Sequence, residues 1–272
     1  MESLRVTKIL MKYHTPGDVA AMGIETADPR VVKLNNLKVM PDETYFAVKT
    51  ISELGGRVRG GWNGMPELLP GINFVIGLPG ETRETFRLNI EFLKKLLDND
   101  VWVRRVNIRQ VLVLPPTPLW SQADDIKQLL REHRRYFLAF KYWVRRYFDH
   151  EMLRRVVPRG GAVLRRVFTE VHYGNGTYAR QVGSYPLLIY IPTKIELGRW
   201  IDIVVSEHGF RSVIGVPYPV NVNKAPKRLL KYVPSMSRDV LNRIIAARPI
   251  RSYEQLKSII GGNQELIKYL AL

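Results

Sequence analysis

The chain has no cysteine in its 272 residues. Disulfides, thiolate zinc sites and cysteine-ligated iron–sulfur clusters are therefore excluded for this polypeptide by itself. No apolar run reaches transmembrane length, and Met1-Glu2-Ser3-Leu4-Arg5 lacks the apolar core of a secretory signal. These two absences predict a cytoplasmic protein without membrane contact. Acidic residues are scarce: 25 Asp and Glu stand against 42 Lys and Arg, a formal net charge of +17. An excess of that size points to a polyanionic partner, nucleic acid before a membrane surface, or else to the ion-pair-rich surface of a thermophile. The five histidines, His14, His133, His150, His172 and His208, show no metal-ligand spacing and no local acidic partner in a nucleophile pattern. Their expected roles are packing and surface.

What is present begins with Gly71-Ile72-Asn73-Phe74-Val75-Ile76-Gly77-Leu78-Pro79-Gly80-Glu81-Thr82. A β-branched, apolar run of strand length meets a Gly-Leu-Pro-Gly turn, and Thr82 is a good N-cap for the helix that follows. Phe86, Ile90, Leu93 and Leu97 recur at helical steps and put one stripe on a core. In such a strand-loop-helix unit the loop at the carboxyl end of the strand is where ligands sit, although Gly and Pro also make plain turns. Upstream, Val19–Gly23 reads as a strand running into Ile24-Glu25-Thr26, Asp28-Pro29 opens a short helix, and Pro41-Asp42 starts another that stops at Gly55-Gly56. Downstream, residues 101–114 read as a strand ended by Pro115-Pro116-Thr117-Pro118. Strand, helix, strand, helix, strand implies a parallel sheet in an α/β fold.

From Ser121 to about Pro158 the pattern is helical and basic. Ile126, Leu129, Leu130, Phe137, Phe140, Tyr142, Trp143 and Tyr147 supply one broad apolar and aromatic face, with arginines around it. Arginines among aromatics suit RNA, and a packed linker helix with a solvated basic side explains the same residues. Between Pro158 and Asn223 the period falls to two, with strands expected at Leu164–Val171, Leu187–Ile191, Ile201–Val205 and Ser212–Val216. Short strands at that spacing suggest a small antiparallel β-barrel of OB-like kind. The last segment is helical, with a tight Val233-Pro234-Ser235-Met236-Ser237 connection and a capping box from Ser252 and Gln255. The expected divisions are residues 1–120, 121–157, 158–223 and 224–272.

Three stretches carry a resemblance: Met22-Gly23-Ile24-Glu25-Thr26-Ala27-Asp28-Pro29, then Phe74-Val75-Ile76-Gly77-Leu78-Pro79-Gly80-Glu81-Thr82, then Pro116-Thr117-Pro118-Leu119. In order and spacing they resemble the second half of the radical S-adenosylmethionine (radical SAM) barrel. The resemblance implies that the first 120 residues are half of a partial (β/α) barrel carrying its fourth to sixth strands. It implies that Glu25, with Thr26 beside it, meets the cofactor ribose, and that Val75, Ile76, Gly77, Val113 and Leu114 meet the adenine. Arg109 and Gln110 reach a substrate in the barrel interior, or else lie on an exposed strand face.

The family's chemistry also needs a C-x-x-x-C-x-x-C loop for a four-iron four-sulfur cluster and a Gly-Gly-Glu-like motif. Gly55-Gly56-Arg57 and Gly60-Gly61-Trp62 are in the wrong place for the latter. The resemblance thus implies a C-terminal half, inactive alone, completed by an N-terminal half-barrel polypeptide that brings the cluster. Arg180-Gln181-Val182-Gly183-Ser184-Tyr185-Pro186, Gly198-Arg199-Trp200 and Glu207–Ser212 resemble a TRAM-like barrel, a tRNA-gripping module, with Arg180, Arg199 and Arg211 as RNA contacts. Tyr178, Trp200 and Phe210 either stack on bases or pack the core. Residues 233–256 resemble a helix-hairpin-helix motif in which Ser235 and Ser237 replace two glycines. Its hairpin either holds a phosphate on backbone N–H groups or packs against protein. Across the chain the order of modules resembles radical SAM enzymes that end in a helix-hairpin-helix. The other reading is a non-catalytic RNA- or DNA-binding protein that retains a decayed half-barrel.

Overall fold

The structure, a computed structural model, describes residues 2–57, 61–158, 160–183 and 186–272. Gly60 of the second glycine pair, and Ser184 and Tyr185 of the TRAM-like stretch, lie outside these. The chain divides into two compact units, one ending at Val156 and one holding everything from Val157 onward together with short segments around Pro16 and Asn63.

The first unit opens with helix α1 (Glu2–Tyr13) and strand β1 (Asp18–Glu25). Helix α2 (Pro29–Leu34) begins where Pro29 presets the backbone and Asp28 accepts the Arg30 N–H at 3.0 Å. Helix α3 (Pro41–Ile51) has Glu43 accepting the Met40 N–H at 2.8 Å and runs into a π-helical turn, Ser52–Gly56. Gly55 is needed in that turn because a Cβ there would press on the backbone of Leu68. Then come β2 (Leu68–Ile76), α4 (Arg83–Asp98) and β3 (Arg105–Gln110). Helices α5 (Ala123–Glu132) and α6 (Arg134–Trp143) follow, with a π-helical segment, Val144–Asp149, leading into α7 (His150–Val156).

The three strands pair in parallel in the order β1-β2-β3, as the alternation of strands and helices predicts. Strand β3 is shorter than the expected 101–114, because neither residues 101–104 nor residues 111–114, which lead into the prolines, form strand. On one face Ile72, Phe74, Ile76 and Val106 are buried in a cluster with Phe86, Leu93 and Leu96 of α4. The helices expected as a linker belong to this same core: Phe140, Val144, Phe148 and Met152 are buried in it. Each such large side chain contributes about 1.5–3 kcal/mol by leaving water. Tyr142 and Tyr147, expected on the apolar face, are exposed instead. The reason is periodicity: Phe140, Val144 and Phe148 at steps of four claim the inner side, and Tyr142 lies half a turn away.

The second unit carries β4 (Val163–Tyr173), β5 (Gly176–Gln181), β6 (Leu188–Ile191), β7 (Trp200–His208) and β8 (Ser212–Pro217). They pair in the order β4-β5-β6-β8-β7, and β7 returns to β4, so the ring closes. Four of the five were legible, and β5 was missed. The barrel is not wholly antiparallel, because β6 and β8 run parallel. After β9 (Val220–Asn221) come α8 (Lys227–Leu230), α9 (Arg238–Ala246), α10 (Tyr253–Ile259) and α11 (Gln264–Ile267), and then β10 (Leu270–Ala271). Strand β10 pairs with β9, while Asn223 grips Ile250 through both backbone groups at 2.8 and 2.9 Å. Ser252 caps α10 as expected, but the expected capping box is only half made, because Gln255 accepts the N–H of Arg251, one residue before the N-cap.

No helix among the described residues is long and apolar enough to cross a membrane.

Candidate functional site

The candidate site lies on the sheet face that carries no helix core, at the carboxyl ends of β1, β2 and β3. The register sets Gly23, Asn73 and Asn107 in one row and Val75 opposite Arg109 in the next. Asn107 donates to Asn73 at 2.9 Å and accepts from Arg105. Alternation made this face: Arg105, Asn107 and Arg109 interleave with core residues Val106 and Ile108, and Gly71, Asn73 and Val75 interleave with Ile72, Phe74 and Ile76.

Glu25 closes the row. A bulge between Gly23 and Glu25 shifts the register, and Glu25 takes a left-handed φ of 60°. That conformation is uncommon for a side chain with a Cβ, and it folds the carboxylate back over Gly23, where any Cβ would overlap Oε1. Burial raises the Glu25 pKa above the usual carboxylate range, and the charge of Arg109 works against that rise. The half-buried carboxylate and the exposed guanidinium thus form an acceptor and a cation on one polar face.

The other expected residues separate. Thr26 does not join the open face: it is 1% exposed, its hydroxyl is 3.4 Å from Asn89 Oδ1 and it accepts the Asp28 N–H. Ile76 points into the helix-side core. Val75 is half-buried on the polar face, and Gln110 is exposed at the end of β3. Val113 is half-buried and Leu114 exposed in the segment beyond β3. Gly77 has φ of 94°, and its N–H donates to Glu81 Oε2 at 3.0 Å. The space a Cβ would take at Gly77 belongs to Leu130 of α5.

Sequence reasoning missed a buried pair beside this loop. Glu81 Oε1 lies 3.0 Å from Nδ1 of His133, whose ring packs edge-on against Phe86. Burial raises the Glu81 pKa, and the hydrogen bond from His133 opposes the shift. The partners are 52 residues apart, so no local spacing announced them. The polar row through Asn73 and Asn107 was findable, because a period-two polar pattern on the sixth-strand stretch is visible in Arg105-x-Asn107-x-Arg109.

In the second unit Arg180 pairs with Glu170 at 3.0 Å and Arg199 with Glu196 at 2.9 Å, while Arg211 is exposed just before β8. Trp200 and Phe210 are exposed, not packed in the core; Trp200 lies on Phe168 with ring centroids 4.9 Å apart. Tyr178 is half-buried and stacks on Tyr173 at 4.9 Å. In the hairpin Ser235 has φ of 62°, the left-handed turn that glycine would favour. The Ser237 hydroxyl is used to cap α9, accepting the Val240 N–H at 3.2 Å. A cavity of about 590 Å³ beside it is lined by Lys227, Lys231, Ser237 and Arg238. Among the described residues no cluster of three or more His, Cys, Asp or Glu could hold a metal ion.

No protein-family model matches the chain. Over 268 residues, 98% of this chain, it is 41% identical to an uncharacterized protein of Archaeoglobus fulgidus, of which it covers 48%. It is 45% identical over 216 residues to an uncharacterized protein of Methanocaldococcus jannaschii, matching 79% of this chain and 39% of that one. A more distant match, 29% identical over 138 residues, is to a Pyrococcus horikoshii protein named an uncharacterized methyltransferase, covering 50% of this chain and 26% of that one. The chain spans about half the length, or less, of the curated relatives it matches.

Proposed function

We propose that this chain is the C-terminal portion of a radical SAM enzyme, with half of the cofactor pocket on β1 to β3 and nucleic-acid-binding modules after it. The observation that carries the reading is the polar row at the carboxyl ends of three parallel strands, Glu25 against Arg109 with Asn73 and Asn107 below. Ligands of parallel sheets sit at those ends. The residues fit part of S-adenosylmethionine: the Glu25 carboxylate accepts from ribose hydroxyls, and Val75 offers apolar contact to a base. A relative named as a methyltransferase is in keeping with that cofactor.

The residues do not fit the cluster, since the chain has no thiolate. Its ligands, and the strands that complete the barrel beside β1, are assigned to a cysteine-bearing N-terminal half. S-adenosylmethionine brings the radical-forming chemistry when a cluster reduces it. This chain's part is to orient the cofactor and, through Arg109 and Gln110, a substrate. The cations of the second unit, Arg180, Arg199, Arg211 and those around Ser235 and Ser237, suit an RNA or DNA that is, or carries, the substrate.

One observation favours the non-catalytic reading: Leu130 fills the space in front of Gly77. Anaerobic co-expression with the first half of the Archaeoglobus relative separates the two. The proposal expects a brown complex that reductively cleaves S-adenosylmethionine, with turnover falling about tenfold or more in Glu25→Ala, the loss of one charged hydrogen-bonding contact. A chain that purifies alone, colourless and unable to bind the cofactor, overturns it.

A further inference from the structure

Some of the positive charge in this protein is answered by a neighbouring carboxylate. Among exposed arginines, Arg87 pairs with Glu84 and Glu91, Arg165 with Asp202, Arg180 with Glu170 and Arg199 with Glu196. Helix α6 and the π-helical segment after it differ from these arginines. From His133 to Phe148 there is no acidic residue and five are Lys or Arg. Arg145 turns inward to Asp149. Arg134, Arg135, Lys141 and Arg146 are exposed, and the first three meet no carboxylate among the described residues.

Exposed rings occur along the same stretch. Tyr142 is 64% and Tyr147 54% exposed, and Tyr147 leans on Trp143 with ring centroids 6.2 Å apart. A groove of about 780 Å³ runs between α4 and α6, lined by Arg83, Glu84, Phe86, Ile90, Tyr136 and Trp143. Exposed tyrosines cost burial that a core would reward, and here they share about 20 Å of helix with cations that meet aromatic rings and no carboxylate among the described residues, Arg135 at Tyr136 and Lys141 over Phe137.

We infer that this exposed stretch, Arg134, Arg135, Lys141, Tyr142 and Tyr147 with the α4–α6 groove, docks single-stranded nucleic acid. Phosphates sit on the cations, and unstacked bases lie on Tyr142 and Tyr147 or enter the groove against Trp143. Charge complementarity selects a polyanion, and the rings select one whose base faces are free, which excludes a duplex. An acidic protein would satisfy the cations but leave the rings without a flat partner. The inference does not rest on the radical SAM reading, because the stretch lies apart from Glu25 and Arg109 and needs no cofactor.

The test is fluorescence anisotropy of the full chain with a labelled oligouridylate of about twelve nucleotides, in the range that single-strand binders occupy. Two variants are compared, Arg134→Glu/Arg135→Glu/Lys141→Glu and Tyr142→Ala/Tyr147→Ala; the altered side chains are exposed, and thermal melting checks that both fold. Each variant is expected to weaken binding at least about tenfold, since one stacked base alone is worth that much. The charge variant should also lower the salt slope by about two, for three phosphates on a single strand. Cross-links from 4-thiouridine should map to residues 134–147. Unchanged affinity and slope in both variants, with cross-links confined to the second unit, overturns the inference. So does equal binding of a duplex, or displacement of the RNA by polyglutamate at matched charge.

Discussion

Strands β4 to β8 form a ring in which each has a neighbour on both sides, whereas β1 to β3 form an open sheet with two edges to account for. The barrel needs nothing further to satisfy its strands. In the sheet the two edges differ. At β3, Asp149 accepts the Val106 N–H at 3.2 Å and Arg145 donates to the Val106 carbonyl at 2.9 Å, so a side-chain pair from the π-helical segment stands where another strand would bond. At β1 no strand pairs on the outer side among the described residues. An unblunted edge invites another strand. The contrast teaches that closure is local: one sheet is finished by its own strands, and the other is capped by side chains at β3 and has no strand outside β1 among the described residues.

The sharpest way to break this comparison is Asp149→Ala. The change leaves the Val106 N–H without its acceptor and the part-buried Arg145 without its acid. We expect a loss of about 3 kcal/mol, the cost of breaking a mostly buried pair, read from urea midpoints at constant m. A loss below about 0.5 kcal/mol, the size of a surface change, would mean that the β3 edge is as open as β1.

Next in size is Gly176→Ala in the barrel. A Cβ there would run into the Tyr190 ring and the Ile191 carbonyl of the paired strand. Overpacking of that kind costs about 2 kcal/mol, and thermal unfolding should show it. Ser235→Gly has the opposite sign. It relieves a left-handed backbone at φ 62° and should add about 0.5–1 kcal/mol, seen as a small rise in Tm.

The smallest effect is one of slope. Burial raises the folded-state pKa of Glu81, so its protonated form is favoured by folding. Its contribution to stability is fully present below the ordinary carboxylate pKa of about 4.5 and is lost as pH rises through the higher folded value. Glu81→Gln removes that titration. Its stability relative to the native chain should therefore improve between pH 4.5 and neutrality, in denaturation curves taken across that range. A relative stability that stays flat would contradict the raised pKa, and one that falls with pH would assign Glu81 a depressed pKa instead.

The parallel sheet was legible because its strands carry continuous or alternating apolar runs and its helices start at Pro29, Pro41 and Thr82, residues whose backbone preferences are strong. The barrel strands were legible for the same reason, except β5, where Gly176-Thr177-Tyr178-Ala179-Arg180-Gln181 has one large apolar ring and reads as polar loop. The candidate site was half legible. Glu25 came from the resemblance and Arg109 was left between the barrel interior and an exposed strand face, while Thr26 could not be told from a ligand contact, because its burial depends on Asn89, which lies 63 residues away. The Glu81–His133 pair and the Arg145–Asp149 cap of β3 arise only when helices α5 to α7 return to the sheet. Periodicity reports which side of a helix is apolar and not what its polar residues will meet.

The measurement that bears most directly on this contrast is amide hydrogen exchange resolved to the β1 and β3 peptides, taken for the chain alone and in complex with the cysteine-bearing N-terminal half. The account predicts that β1, over Asp18–Glu25, exchanges faster than β3 in the chain alone and becomes protected in the complex, while β3 stays as it was. Protection that appears at β3, or at neither strand, would contradict it.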